Sequence, residues 1–249
     1  MKKLLALALT ITLICGYTSS LASEITFRNI PWWCSPAEFE QALKCLGFTF
    51  EYDHTYVADG YTTDNIWFDP DWDENSEGEP YTELPQYSIR LQSMDSKTPI
   101  CYVAGYAVTN IYADFTPLYD VATNWIGFAD QTILFSAKYQ IFLHVQENKY
   151  ILSYKDIRDD LYAKLSNLYG TPIGTDTIEG YTTTETTEWI ASDGTSVRLA
   201  YTYGHELTEW IMVEYFAANV DEYKAGLASV VRTKHQDMMD NMLPNSDGL

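Results

Sequence analysis

Basic residues are scarce in this chain. Its 249 residues hold 15 Lys and Arg against 35 Asp and Glu, a formal net charge of −20. Gripping a phosphate backbone requires clustered cations, so a nucleic-acid partner is excluded. An anionic membrane surface is disfavoured on the same ground. After the first fifteen residues no stretch offers 18 apolar residues free of charge, so no membrane span is expected and the mature chain should be soluble. Catalytic signatures are missing as well. There is no Cys-x-x-Cys pair, no Gly-rich phosphate loop and no Gly-x-Ser-x-Gly elbow. No cofactor is expected.

Histidine is rare, at positions 54, 144, 205 and 235. His205-Glu206-Leu207-Thr208-Glu209 begins like a zinc-protease helix but lacks the second His four positions on, and reads as a hairpin loop. Cysteine is rare too, at 15, 34, 45 and 101. Cys34 and Cys45 flank a predicted helix whose rise separates them by roughly 16 Å, too far for a bridge. Cys34–Cys101 and Cys45–Cys101 both remain open, and an odd count after export leaves at least one thiol over.

What is present points outward from the cell. Met1-Lys2-Lys3, the apolar run Leu4–Ile14 and Ser20-Leu21-Ala22 have the form of a bacterial secretory signal peptide cut near Ala22. Its loss removes two lysines and no acid, taking the charge to −22. Lipoprotein processing at Cys15 is the competing reading, disfavoured by Ile14 where a small residue is wanted. Hydrophobic residues make up 46% of the chain, enough for a packed core without disulfide staples.

Ser35-Pro36-Ala37-Glu38 is a capping box with Pro at the first helical position, and Phe39, Ala42, Leu43 and Leu46 follow at helical spacing. This predicts a helix over 36–46 behind a short strand at 25–27. A second helix is predicted over 156–169, capped by Asp156, with Ile157, Leu161, Leu165 and Leu168 in one stripe. A third is predicted over 221–242. Strand-rich tracts follow the first two helices: 101–115 and 131–145, then 186–191, 196–203 and 208–217. Ile133, Phe135, Ala137, Tyr139, Ile141, Leu143 and Val145 alternate with period two. At Ser192-Asp193-Gly194 a three-residue hairpin loop would set Trp189 beside Val197, Thr187 beside Leu199 and Glu188 opposite Arg198.

The predicted fold class is therefore α+β: two helix-plus-antiparallel-sheet units, each helix packed on one sheet face. The expected divisions are the signal peptide 1–22, a first unit 23–150 with an acidic loop at about 59–89, a second unit 151–220, and a C-terminal helix and unstructured tail over 221–249.

Ile25-Thr-Phe-Arg-Asn-Ile-Pro-Trp-Trp-Cys-Ser-Pro36 ahead of a helix resembles the opening of a group of uncharacterised exported proteins of Gram-positive bacteria. Their usual pattern is a strand, Ile-Pro-Trp, a small residue and Ser. Here Trp33 stands where Gly is common. The successive helix-plus-sheet units resemble the tandem repeat of the β-lactamase-inhibitor-protein and outer-membrane-assembly lipoprotein superfamily. That resemblance implies protein binding rather than catalysis and transfers no site residue.

Three chemistries deserve a place. Cys34 at a helix mouth could be a nucleophile, since the macrodipole lowers a thiol pKa; His144 is a candidate base. Asp69, Asp71 and Asp73 mimic half of a calcium loop, yet Glu74 and Pro80 occupy the positions that need Gly and Glu, so only a weak site is conceivable. Tyr106, Tyr112, Tyr139, Trp189 and Trp210 lie in strand tracts, where an open sheet face would offer them to a partner. The leading expectation is a non-catalytic module, secreted or envelope-associated, that binds another extracellular or envelope protein. An extracellular hydrolase using Cys34 or a carboxylate pair, and a carbohydrate-binding module with a weak calcium site, are the alternatives.

Overall fold

The computed structural model describes residues 24–57, 87–93, 98–127, 131–141, 153–204 and 209–242. The signal sequence, Cys15, almost all of the acidic loop with Asp69, Asp71 and Asp73, His144, His205 and the tail from 243 lie outside them.

Helix α1 (Pro36–Cys45) starts where its capping box predicts. The Ser35 hydroxyl accepts from the Glu38 amide, and the Glu38 carboxylate accepts from the Ser35 amide at 2.8 Å. Phe39 and Leu43 form its buried side. Strands β1 (Glu51–Val57), β2 (Tyr87–Gln92), β3 (Cys101–Val103) and β4 (Tyr106–Pro117) follow. Ala104 and Gly105, at φ 53° and 93°, make the two-residue turn between β3 and β4. A small hairpin, β5 (Tyr119–Asp120) and β6 (Trp125–Ile126), precedes β7 (Thr132–Ile141). Helix α2 (Tyr154–Tyr169) leads to β8 (Gly174–Glu179), β9 (Thr182–Ile190), β10 (Ser196–Gly204) and β11 (Trp210–Phe216), and α3 (Val220–Met242) closes the chain.

The cap of α2 is Ser153. Asp156 occupies the third helical position, and its carboxylate accepts from the Ser153 amide at 3.0 Å. Asp is shorter than the usual Glu of a capping box, yet it closes the same reciprocal pair.

The class is α+β, but nine of the eleven described strands form one sheet, with the β5–β6 hairpin apart. The order is β1-β2-β4-β7-β11-β10-β9-β8, antiparallel throughout, with β3 also paired to β4. Strands β1 to β7 follow α1 and β8 to β11 follow α2, and the two sets meet at β7 and β11. The seam is the ladder from Ile211 opposite Ile141 to Phe216 opposite Ser136.

Strand β8 is absent from the sequence reading because all six of its residues are exposed, leaving no alternation to detect. The clean period of β7 also breaks. Ladder partners slip between Asp114 and Phe115, so Leu134 and Phe135 are both buried.

Both α1 and α2 pack on the same side of the sheet. Phe39 and Leu43, and Ile157, Leu161 and Leu165, join one core with Leu91, Ile111, Tyr139, Val213 and Leu199. The N-terminal segment is pinned into it. Residues 25–30 form a tight turn, with Phe27 bridged to Ile30 and Arg28 and Asn29 at φ 58° and 59°, instead of the expected strand. Phe27 is fully buried; its ring stacks on Tyr139 at 4.4 Å and meets Tyr215 edge-on at 5.6 Å. The Ile25 amide donates to Thr195 Oγ1 at 2.7 Å. The Trp33 amide donates to the Leu134 carbonyl, and the Leu134 amide to the Cys34 carbonyl. Trp33 sits at φ 66°, a left-handed angle natural to glycine, and its ring packs 5.1 Å from Tyr223 of α3.

Helix α3 belongs to a second, smaller core: Leu227, Val230 and Val231 close on Ile126, with Tyr119 alongside. A Cβ at Gly226 would collide with the Tyr119 hydroxyl and come within 2.8 Å of its Cζ.

These two cores should fail separately. Phe27→Ala is expected to cost about 3–5 kcal/mol of global stability, measured by denaturant unfolding, because it leaves a void at the seam. Gly226→Ala should act locally, since the methyl evicts Tyr119. Hydrogen exchange should quicken in 119–126 and 220–242 while the sheet amides keep their protection.

Candidate protein-binding face

Alternation along each strand sends one set of side chains into the core and the other to the opposite face. The second set falls into rows across the sheet. The central row runs Arg90, Tyr112, Lys138, Glu214, Arg198, Glu188, each directly opposite the next. One neighbouring row runs Gln92, Asn110, Gln140, Met212, Ala200; the other runs Ser88, Asp114, Ser136, Phe216, Ser196.

The rows are bonded to one another. Gln140 Oε1 accepts from Asn110 Nδ2 at 3.1 Å and from the Tyr112 hydroxyl at 2.8 Å. The Asp114 carboxylate accepts from the hydroxyls of Ser88 at 2.8 Å and Ser136 at 2.7 Å, with Lys138 Nζ at 3.6 Å. Arg198 donates to Glu188 at 3.1 Å and lies 4.8 Å from the Phe216 ring centroid. Arg90 and Lys138 flank the Tyr112 ring at 5.6 and 5.7 Å.

Charge alternates along the central row from Lys138 to Glu188. Burial pushes the Glu214 carboxyl up, and Lys138 and Arg198 on either side pull it back down. The side chains of Lys138 and Arg198 keep 26% and 38% of their surface in solvent. The buried residues of α1 and α2 all face inward, and those of α3 close on the β5–β6 hairpin. Among the described residues, then, no helix lays its apolar side on this outward face.

The five aromatic residues expected on an open face divide. Tyr112 and Trp210 are there, Trp210 standing opposite Thr202. Tyr139 and Trp189 are buried in the core, so they offer a partner nothing. Trp189 lies under Tyr162 of α2 and donates to the Gly170 carbonyl at 3.1 Å. Tyr106 also turns inward; its hydroxyl donates to Asp160 of α2 at 2.7 Å, and burial followed by that carboxylate pushes its pKa to about 12. Strand parity already separated these residues, because the hairpin register puts Trp189 beside Val197. The same parity marks Ser136, Lys138 and Gln140, between Ala137, Tyr139 and Ile141, as the outward set. A search for aromatics alone passes over Arg90, Lys138, Arg198 and Glu214.

The thiols follow burial. Cys34, Cys45 and Cys101 are all free, with Cys34 and Cys101 buried and Cys45 exposed. Cys34 is pushed up from 9.0 to about 11, first by burial and then by the Glu38 carboxylate. This reverses the lowered thiol expected from the helix dipole, because burial disfavours the thiolate and the capping box adds an anion nearby. Burial also raises Cys101, against the opposing pull of Arg28. Among the described residues no three His, Cys, Asp or Glu side chains are grouped to hold a metal. No described helix is long and apolar enough to cross a membrane.

Iodoacetamide at pH 7.5 should therefore label Cys45 in the native protein and reach Cys34 and Cys101 only after denaturation, as read by peptide mass spectrometry. The raised Cys34 value has a stability consequence of fixed sign. Its contribution is complete below pH 9, where both folded and unfolded thiols are neutral, and is lost between pH 9 and about 11 as only the unfolded thiol ionises. The melting temperature should fall across that window, less so in Cys34→Ala.

No family model matches the sequence, and neither a curated protein nor a solved structure does.

Proposed function

We propose that this is an exported, non-catalytic module that binds another extracellular or envelope protein through the outward face of its sheet. The observation that supports it is the face itself: a broad, bonded array of alternating charges with Tyr112, Trp210 and Phe216 at its surface, which no described helix covers with apolar side chains. A protein surface of mixed sign complements such a row, whereas a polyanion does not. We read α1 with the strands after it and α2 with the strands after it as two related units, in keeping with the superfamily the sequence resembles, whose members work by binding. The thiol-hydrolase alternative draws no support from Cys34, whose raised pKa leaves it a poor nucleophile at neutral pH.

The purified protein, immobilised and exposed to its own cell-envelope fraction, should retain one partner. Trp210→Ala and Arg198→Ala should each weaken that binding by about 2 kcal/mol or more, the scale of interface residues of these types. Lys155→Ala, on the exposed side of α2, should leave it unchanged. Retention of nothing, together with a positive hydrolase screen, would overturn the reading.

A further inference from the structure

A cleft of about 330 Å³ opens on the other side of the sheet, beside the seam, among Glu24, Thr26, Arg28, Tyr139, Tyr169 and Tyr215. Arg28 is placed there by the turn that buries Phe27. Its Nε donates to the Tyr139 hydroxyl at 2.8 Å and its Nη2 to the Tyr102 carbonyl at 2.6 Å. The guanidinium has five N–H groups, and these two bonds fix it while leaving others to the cleft.

Among the described residues no carboxylate lies within 4 Å of Arg28. Lys138, Arg158, Lys164 and Arg198 each reach one, in a chain with 35 acids. The groups that act on it electrostatically are the Tyr139 phenol and the Cys101 thiol, which also accepts a hydrogen bond from it. Tyr139, Tyr169 and Tyr215 all titrate above their ordinary range because of burial, so their hydroxyls stay protonated donors. Among the described residues, the hydroxyls of Tyr169 and Tyr215 have no protein acceptor. A fixed cation and free donors therefore share a cleft walled by aromatic rings.

We propose that this cleft binds a small monocarboxylate of amino-acid size, with the carboxylate on Arg28 and an apolar body against the tyrosine rings. The planar fork of a guanidinium matches a carboxylate. The size lies at the small end of ligand sites. Glu24 on the rim and the chain's negative charge oppose dianions. The site lies across the sheet from the protein-binding face and does not rest on that reading.

Calorimetry with N-acetylphenylalanine, its amide and inorganic phosphate tests the assignment. The acid should bind saturably, and the amide about tenfold or more weaker, since it forfeits a charged hydrogen bond. Arg28→Gln should lose a similar factor, with an unchanged circular dichroism spectrum showing that it folds; Tyr215→Phe should lose less. The acid–amide comparison uses the unaltered protein, so it stands even where a variant misfolds. Equal binding of acid and amide, tighter binding of phosphate, or no saturable binding of the acid would each overturn the proposal.

Discussion

The burial of Phe27 against Tyr139 and Tyr215 joins the two sets of strands where they meet. A sheet of this length could open along the β7–β11 ladder, where the two sets of strands meet. Phe27 lies over that ladder, stacked on a ring from one side and edge-on to a ring from the other. The segment around it reaches both halves. Ile25 is bonded to Thr195 beyond β9, and residues 33 and 34 are bonded to Leu134 of β7. The segment from Ile25 to Ser35 thus acts as a clamp. Its left-handed angles at Arg28, Asn29 and Trp33 are tolerated because contacts on both sides over-determine them.

With one face of the sheet committed to the clamp and to two helices, the other is free to carry charge. Its central row alternates sign from Lys138 to Glu188, so neighbouring charges satisfy each other across the strands. In a chain this acidic, that concentrates scarce cations where they are most ordered. Glu214 shows the cost of the arrangement: burial opposes its charge, and Lys138 and Arg198 offset that opposition.

Local features of this architecture are legible in the sequence. The box at Ser35, the ends of α3 and the loop at Ser192–Gly194 each depend on residues a few positions apart. The loop has Gly194 at φ 89°, the Ala191 amide bonded to the Thr195 carbonyl, and Glu188 opposite Arg198. Non-local features are not legible. Joining Lys138 to Glu214 is a choice among many strand pairings that no short pattern encodes. Cys34 shows the same limit for chemistry, because helix position is local but burial is not. The outward face was half legible: parity along β7 separates Lys138 from Tyr139, whereas residue type alone selects the buried Tyr139 and Trp189.

The left-handed backbone at Trp33 ties the end of the chain to its beginning. Its ring holds Tyr223 of α3, and its amide holds the carbonyl of Leu134 in the sheet. Tyr223 also donates to the Pro117 carbonyl at 3.0 Å, and Lys224 lies 4.5 Å from the Phe135 ring centroid, so α3 meets the strands at more than one place. A glycine would relax that backbone but remove the ring on which Tyr223 packs, so the left-handed angle at Trp33 is exchanged for a contact between α3 and the segment ahead of α1.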